Sequence, residues 1–500
     1  MDISVGKFTL ESLTTGMYNE PETCFREYIQ NAVDSIDNAI SLGIITIDNA
    51  RIEIIVDESH HEISIRDNGT GIGVTKAPKT LLDIGNSAKT HTTNRGFRGI
   101  GRLGGLSYCK SMSFCTTSMG EAEKTIIKFD CDRLKELLIP GNSNVDTLQG
   151  VIEEVTSIEI LEEQESAHYF LVKMEEVDDI ETLLDIDLVK DYVSQIAPIP
   201  YKKSFYWGDQ VKSELLQKGY SISEYPVFIG KSFEHLSQVY KPYKGTLEIS
   251  TRGGSCKDQI LNLSFFDILG ANNTPLAYGW YAESEFSGTL IDDSFSGIRV
   301  RVGNILIGSG KSMAAYFKES RFNAWTLGEI YIVSEELIPN ARRDDFERND
   351  TFSLFEQGVR ATVGTEVSEK IRAASKVRNN PAQRAIKKAE KEVARVEKIL
   401  TTGFNSTYEK EQIATSLTGI QKELRVIPRT AAPELVSQKV QLISKLEELS
   451  TSVSESTNFR AKKDIQSEFS KSEKKSFRQC LKYLQETSRE IPLIAFTKNF

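Results

Sequence analysis

The order of hydrophobic and polar residues predicts alternating helices and strands over the first two thirds of the chain. An amphipathic helical pattern covers residues 22–42, and strand patterns with apolar residues at alternate positions follow it. These strand patterns lie at residues 51–57, 62–67, 111–117 and 124–130. Short apolar alternations then recur from about residue 195 to 335. The pattern therefore predicts two successive domains of the α+β class.

Beyond residue 355 the pattern becomes helical. Apolar residues at spacings of three and four form a two-heptad seam, made of Ile386, Ala389, Val393, Val396 and Leu400. Pro428 and Pro433 interrupt the helical pattern, and a second apolar series begins at Leu435. We expect two helices folded back on one another as a short coiled-coil hairpin. A coiled coil between two copies of the chain fits the same pattern.

Length and composition agree with three folded domains. The chain has 500 residues, and domains average roughly 150 residues. The predicted domains are 1–165, 166–354 and 355–500. Hydrophobic residues make up 39% of the sequence and charged residues 26%, which excludes a collagen, a mucin-like stalk and a wholly disordered chain.

The sequence also predicts a cytoplasmic protein without a membrane span. Residues 1–10 lack the basic segment and apolar stretch of a secretory signal, and no run of about 18 uncharged apolar residues occurs. None of the six cysteines forms a C-x-x-C pair. This spacing argues against a zinc cluster and against a dense disulfide framework.

Charge is unevenly distributed along the chain. The net charge of −10 disfavours a uniformly basic nucleic-acid-binding protein. However, residues 151–190 carry thirteen acidic and two basic side chains, whereas residues 371–400 carry nine basic and three acidic ones. The basic segment would suit nucleic acid or an acidic partner, including the acidic segment of the same chain.

The first candidate chemical motif lies on the helix predicted at residues 22–42. Glu27, Asn31 and Asp34 are spaced i, i+4 and i+7, so they share one stripe of that helix. An amide oxygen can ligate Mg²⁺, and a carboxylate can orient and deprotonate a water molecule. Taken alone, a polar stripe is usually the solvated face of a helix.

The second motif is a D-x-G-x-G string at the end of a predicted strand. It contains Asp67, Gly69 and Gly71, with a further glycine at 73. Asp67 would be placed to accept a hydrogen bond from the exocyclic amine of adenine, while the glycines allow a tight turn. A simple turn is the alternative, and a calcium loop is excluded because the further acidic ligands are missing.

The third motif is a glycine-rich segment between residues 96 and 105. Nine glycines fall within the 37 residues from Gly69 to Gly105, out of 33 in the whole chain. Successive backbone N–H groups at glycines can cradle phosphate oxygens, and Arg98 and Arg102 add positive charge. The segment is neither a Walker A loop nor a dinucleotide-binding fingerprint.

These three motifs, in this order, resemble the ATP-binding module of the GHKL superfamily. That superfamily includes gyrase-type topoisomerases, the ninety-kilodalton heat-shock chaperones, sensor histidine kinases, MutL-type repair proteins and microrchidia ATPases. The resemblance implies a Bergerat-type α/β sandwich followed by a second α/β, transducer-like middle domain. The matching glycine-box residues are Gly96, Gly99, Gly101 and Gly104, with Arg98 between them.

The resemblance also implies roles for individual residues. Glu27 would be the general base, Asn31 the Mg²⁺ ligand and Asp67 the residue that recognises adenine, with Asp34 in the same nucleotide site. The segment around Ser87 and Lys89 resembles the lid region of the chaperone branch. ATP and Mg²⁺ are the expected cofactors, and lid closure over ATP is implied.

One feature departs from the family pattern. The family usually has a Gly-Thr pair on a later strand, where the threonine helps to hold adenine through water. The best candidate here is Gly150, which is followed by Val151. Valine has no hydroxyl group, so a neighbouring residue would have to replace it, or nucleotide affinity would be weaker.

A further candidate catalytic residue is Arg343 in the second domain. Residues 336–349 resemble the segment of chaperone and microrchidia middle domains from which a basic side chain reaches the γ-phosphate. Aligned on Asn340 and Phe346, the matching residue is Arg343. Such a cation would stabilise the charge that develops during phosphoryl transfer. The alternative is an ordinary surface ion pair with a neighbouring aspartate.

The sequence thus predicts an ATPase that works as a conformational machine similar to a heat-shock-type chaperone. A microrchidia-like or topoisomerase-type clamp acting on DNA is the alternative. A histidine kinase is less consistent, because the 26 residues before Glu27 contain no histidine. A non-hydrolysing nucleotide-binding scaffold is disfavoured by Glu27. Expected partners are a protein client or DNA, and a second copy bound through the ATP domains or the C-terminal helices.

Overall fold

An eight-stranded mixed sheet organises the first part of the chain in the computed structural model. The structure describes residues 5–13, 20–84, 101–141, 145–251, 254–404, 406–428 and 431–459. The chain divides into two units between Arg372 and Ala373.

The strands of this first sheet are hydrogen-bonded in the order β5-β4-β3-β6-β2-β1-β7-β8. They are β1 (Ile52–Asp57), β2 (Glu62–Asp67), β3 (Cys109–Thr117), β4 (Glu123–Asp130), β5 (Thr156–Glu162), β6 (Tyr169–Val177), β7 (Val227–Gly230) and β8 (Leu236–Gln238). All neighbours are antiparallel except β1 and β7. Alternate residues of β2 are buried, as its sequence pattern predicted, so one face of the sheet lies on the core.

Three strands of this sheet come from beyond residue 165. These are β6, β7 and β8, and β7 extends the sheet by pairing in parallel with β1. The sheet therefore continues past the residue at which the sequence suggested a domain boundary. Boundaries at 165 and 354 remain a proposal.

Helices cover the core face of the sheet. Those of the first unit are α1 (Phe8–Leu13), α2 (Thr23–Ser41), α3 (Ala77–Leu82), α4 (Cys131–Leu138), α5 (Leu148–Val155), α6 (Glu181–Leu184), α7 (Ile186–Ile196), α8 (Trp207–Gln217) and α9 (Asp350–Val359). The central one is α2, whose residues Ile29, Val33 and Ile36 pack into the core. It ends where Gly43 adopts a left-handed backbone conformation. This helix carries the first motif.

A second sheet region follows over residues 246–349. Its strands lie between residues 246 and 332, and the turn that carries Arg343 comes after them. It contains a three-stranded sheet in the order β10-β9-β13 and a five-stranded sheet in the order β11-β12-β16-β14-β15. The strands are β9 (Thr246–Thr251), β10 (Gly254–Gln259), β11 (Asn262–Leu269), β12 (Pro275–Glu283), β13 (Thr289–Leu290), β14 (Gly297–Val302), β15 (Ile305–Ile307) and β16 (Leu327–Ile332). Their apolar side chains form a core rich in aromatic residues around Trp280.

A buried ionic cluster lies in the second sheet region. Glu329 on β16 pairs with Arg301 on β14 and with Lys241, whose Nζ lies 2.9 Å from a Glu329 oxygen. Tyr201 and Tyr331 also donate hydrogen bonds to this carboxylate. Burial alone would raise the pKa of Glu329, but Arg301 and Lys241 outweigh it and hold the pKa well below its usual value. The carboxylate is therefore ionised at neutral pH.

The second unit contains a three-helix bundle. After α9 the chain continues through a π-helical segment, Arg360–Val367, into α10 (Ser368–Asn379), then into α11 (Pro381–Thr402), α12 (Thr407–Val426) and α13 (Pro433–Glu455). The last three helices share one apolar core. The expected two-helix hairpin is therefore incomplete. The sequence analysis missed helix α12, although its buried residues Ile413, Leu417, Ile420 and Leu424 recur at helical spacings of three and four.

No helix in the part of the chain that the structure describes combines the length and apolar character needed to cross a bilayer.

Replacing the buried carboxylate should destabilise the second sheet region. In a Glu329→Gln variant, Arg301 would keep its charge without an anionic partner, at a cost of about 3 kcal/mol in the free energy of unfolding. The depressed pKa of Glu329 means that its stabilisation is present above its ordinary pKa of 4.5 and is lost as the pH falls. Urea unfolding at pH 7 and pH 4 measures both effects.

The matched control is Glu335→Gln, because Glu335 is exposed in the same region. The variant at Glu329 should lose stability at pH 7 and respond less to acidification than the parent. Equal stability of the two variants at pH 7 would contradict this assignment.

Candidate functional site

Helix α2 presents the three residues of the first motif on one side. Glu27 is 7% exposed and Asp34 is 2% exposed, whereas Asn31 is half-buried. Since the opposite side of α2 packs into the core, this stripe is fixed in orientation. The stripe is thus largely shielded from water, whereas a polar stripe on a helix usually faces the solvent.

The D-x-G-x-G turn passes close to α2 and β3. Asp67 is 3% exposed at the end of β2, and its Oδ1 accepts a hydrogen bond from the Gly69 N–H at 2.9 Å. A Cβ at Gly69 would lie 2.1 Å from Ser35 Oγ. Gly71 has φ +60°, and a Cβ there would lie 1.9 Å from the Thr117 carbonyl oxygen. Only glycine fits at these two positions, so the turn holds Asp67 beside α2.

The end of the second glycine segment contacts the candidate general base. Gly101 begins a short 3₁₀ turn to Leu103, and a Cβ on Gly101 would lie 1.8 Å from Glu27 Oε2. The Gly105 N–H donates a hydrogen bond to Tyr28 Oη at 2.9 Å. Gly104 packs close to Cys24. The segment therefore ends directly against α2, where its lack of side chains leaves room for the Glu27 carboxylate.

Several predicted residues of the lid and glycine box lie outside the described part of the chain. They are Lys89, Gly96, Arg98 and Gly99. Arg102 is described: its guanidinium donates a hydrogen bond to the Asp83 carbonyl at 2.5 Å, and burial lowers its pKa to about 10. In this arrangement Arg102 fastens the segment to the chain after α3.

Arg343 also lies beside the Glu27 carboxylate, although it comes from a distant part of the sequence. It lies in a turn closed by a bridge between Pro339 and Phe346, with φ +57°. Its Nε is 3.7 Å from Glu27 Oε1, and Arg343 is only 7% exposed. The side chain is thus buried beside the candidate base and does not lie on the surface.

Arg26, which the sequence reasoning did not single out, joins α2 to the turn that carries Arg343. Its Nη1 donates to the Arg343 carbonyl at 3.3 Å and its Nη2 to the Gly308 carbonyl at 3.4 Å. The Gly308 N–H donates to the same Arg343 carbonyl at 2.8 Å. A possible signal in the sequence was the position of Arg26 on α2, a helix that is largely buried. A buried cation needs partners, so this arginine could have been expected to contact other parts of the chain.

The electrostatic environment suits Glu27 to the role of a base. Burial raises the pKa of Glu27, whereas the positive charges of Arg343 and Arg26 lower it again in part. Its Oε1 has no hydrogen-bond partner among the described residues. A carboxylate in this state can accept a proton from water and is more basic than an exposed glutamate.

The segment chosen for the missing Gly-Thr pair is not a strand. Gly150 and Val151 lie in α5, whose first turn is capped by the Thr147 side chain. The expectation of a strand came from the resemblance, since the family usually has its Gly-Thr pair on a later strand. One of the two strands that adjoin β2 is β6. It is preceded by His168, whose Nδ1 lies 2.8 Å from the Gly69 carbonyl oxygen.

The site's donor set fits a nucleotide with Mg²⁺ better than a metal held by protein alone. In the described residues no group of three or more His, Cys, Asp or Glu side chains is arranged to hold a metal ion. Asn31 is half-buried one turn from Glu27, and Mg²⁺ typically takes one or two protein ligands together with phosphate oxygens and water. Glu27 Oε1 accepts no hydrogen bond from the described residues, which agrees with such a ligand.

Comparison with known proteins agrees with this geometry. Residues 18–155 match the family model described as histidine kinase-, DNA gyrase B- and HSP90-like ATPase. This part of the chain is similar to a GHKL-type ATPase domain. The matched range contains Glu27, Asn31, Asp67 and the glycine segment. No curated protein matches the chain. The match supports ATP binding and ATPase activity in general terms, and the large sheet followed by helices is consistent with it.

Proposed function

We propose that the chain is an ATP-hydrolysing conformational machine in which the second sheet region supplies a residue to the ATP site. The main support is the position of Arg343, whose Nε lies 3.7 Å from the candidate base Glu27 in a buried site. The two residues are 316 positions apart in the sequence, so the contact requires that the ATP site and the turn of the second region fold against each other. This arrangement would link hydrolysis to the position of that region.

Each candidate residue has a distinct role in the proposal. Asp67 accepts a hydrogen bond from the amino group of adenine, and Asn31 supplies an oxygen to Mg²⁺. Glu27 orients the attacking water and takes its proton. Arg343 stabilises negative charge on the γ-phosphate as the bond to it breaks. Bound Mg²⁺ would neutralise phosphate charge.

Within this class we favour a chaperone-like ATPase that acts on protein clients. The interdomain contacts of Arg26 and Arg343 support a coupling between ATP state and shape. Lid closure through the segment around Lys89, and pairing of two copies through the ATP domains or C-terminal helices, are further parts of the proposal. A non-hydrolysing scaffold would not need a buried carboxylate at the position of Glu27 with an oxygen that accepts no hydrogen bond from the described residues.

Separate substitutions should distinguish catalysis from nucleotide binding. A Glu27→Ala variant should bind ATP with near-parental affinity but lose hydrolysis by a factor of about 10² or more, because the water loses its base. An Asp67→Asn variant should lose ATP binding, because it no longer offers two acceptor oxygens to adenine. Calorimetric titration and phosphate release measure the two properties. Parental hydrolysis by the Glu27 variant would refute the assignment of the base.

Removing Arg343 should alter both the rate and its pH dependence. Burial raises the pKa of Glu27 and Arg343 opposes this rise, so the pKa should increase further in Arg343→Ala. A base works only when deprotonated, and therefore the acidic limb of the kcat profile should move to higher pH. Loss of the contact to the γ-phosphate should also lower kcat at high pH.

The matched variant is Arg343→Lys, which keeps the positive charge. It should leave the acidic limb close to its parental position while kcat remains below that of the parent. ATP affinity should change little in either variant. A large loss of affinity with an unchanged pH profile would assign Arg343 a structural role.

A DNA-acting clamp is the second candidate, and the basic face of α11 supports it. Six basic side chains of this helix are exposed, opposite its buried apolar seam: Arg384, Lys387, Lys388, Lys391, Arg395 and Lys398. An ion pair offsets part of the positive charge of this face, since Lys388 Nζ lies 2.5 Å from Glu423 Oε1. Such a face could bind phosphates along a backbone.

Salt-titrated DNA binding, with and without ATP, discriminates the two candidates. If the clamp is correct, replacing Lys387, Lys388 and Lys391 together with glutamine should weaken binding and reduce its salt dependence by about three charges. The matched control replaces Lys202, Lys203 and Lys231, which are exposed elsewhere. No DNA binding by the parent, or equal loss in both triple variants, would favour protein clients.

A further inference from the structure

Side chains hold both backbone polar groups of Gly69, its N–H and its carbonyl oxygen. Its N–H donates to Asp67 Oδ1 at 2.9 Å, and its carbonyl oxygen lies 2.8 Å from His168 Nδ1. A carbonyl oxygen only accepts hydrogen bonds, so the proton of this contact belongs to Nδ1. His168 is therefore the donor that fixes the carbonyl end of the turn.

The strand register explains why His168 faces this turn. Phe170 pairs with Asp67 across β6 and β2, so the two side chains point to the same face of the sheet. The Phe170 ring stacks on Phe114 of the core at 5.8 Å. His168 precedes Phe170 by two residues and lies on the same face. It is half-buried at the end of the strand next to Asp67.

The turn is held on its other side by α2. The Thr70 N–H donates to the Ser35 carbonyl at 3.2 Å, and the Ser35 side chain leaves no room for a Cβ at Gly69. Gly69 is thus clamped between Ser35 of α2 and His168 of the strand end. Without His168, Gly69 would keep its contact with Ser35 of α2 but lose the one at the strand end. The hydrogen bond between Asp67 and Gly69 would then be less constrained.

We propose that His168 is a positioning residue for recognition of the nucleotide base. It acts through the Gly69 carbonyl, and it holds the Asp67 carboxylate in the orientation that accepts the amino group of adenine. The inference rests on the proposed function, in which Asp67 recognises the base. It predicts that His168 contributes to nucleotide affinity and has no part in the hydrolysis step.

Substitutions at His168 can distinguish the effect of its hydrogen bond on nucleotide affinity from the effect of the rest of the side chain. His168→Ala removes the donor, whereas His168→Asn retains an N–H donor at about the same distance from the backbone as Nδ1. The affinity for Mg·ADP, measured by calorimetry on the full chain, should fall about five- to tenfold in the alanine variant, the size expected for one lost hydrogen bond. It should return to within about twofold of the parent in the asparagine variant.

Kinetics and a double variant provide readouts that a merely structural role would not reproduce. KM for ATP should rise in His168→Ala while kcat stays within about twofold of the parent. In a Glu27→Ala background, which keeps nucleotide binding, His168→Ala should lower the affinity for Mg·ADP by the same factor as in the parent, because Glu27 takes no part in recognition of the base. Thermal unfolding of each variant identifies any general loss of folding.

The outcomes keep the two proposals distinct. Failure of the parent chain to bind Mg·ADP or ATP would overturn the proposed function and with it this inference. Parental affinity with unchanged affinity in His168→Ala would overturn the inference alone. Equal weakening in the alanine and asparagine variants, with normal folding, would also overturn it, since the effect would then come from the ring and not from the hydrogen bond.

Discussion

The arginine–carboxylate contact between Arg343 and Glu27 constrains the rest of the first unit. Both side chains are almost completely shielded from water, and their closest charged atoms are 3.7 Å apart. A carboxylate buried without a cation would be protonated at neutral pH, whereas one with a tightly bonded cation would be a weak base. The observed contact lies between these limits: burial raises the pKa of Glu27 and the two arginines oppose it. In the proposed mechanism, the reactivity of Glu27 as a base depends on this balance.

The contact depends on elements that are far apart in the sequence. Arg26 holds the carbonyls of Gly308 and Arg343, which fixes the turn that carries Arg343 relative to α2. Farther away, Arg301 of the buried ionic cluster donates to the Gln195 carbonyl at the end of α7, and α7 packs beside α2. Helix α2 and the second sheet region are therefore joined at two places. A shift of one relative to the other would have to break hydrogen bonds to buried charged groups, which are among the more costly to lose.

The sequence predicted those features that depend on local order and missed those that depend on tertiary contacts. Helix α2 and strands β1 and β2 were predicted because apolar residues recur there with helical or strand periodicity. Glu27 and Asp67 became candidates through their positions on these elements, and the resemblance supplied their proposed roles. The resemblance, and not the periodicity, indicated Arg343. In contrast, Arg26 and His168 derive their roles from partners that lie 317 and 99 residues away. Nothing in the local pattern around either residue specifies those partners.

Three separate parts of the chain meet at the Glu27 carboxylate. Helix α2 carries the residue, the backbone of Gly101 lies against one of its oxygens, and Arg343 approaches the other. Gly101 belongs to the glycine-rich segment at residues 96–105, and Arg343 belongs to the second sheet region. In the proposed mechanism, any movement of either part would change the space or the charge around the base. Hydrolysis would then require both parts in position, and this requirement is a physical means by which nucleotide state and domain arrangement can control each other. A site built from α2 alone, with Glu27 and Asn31 on an exposed stripe, would have no such dependence.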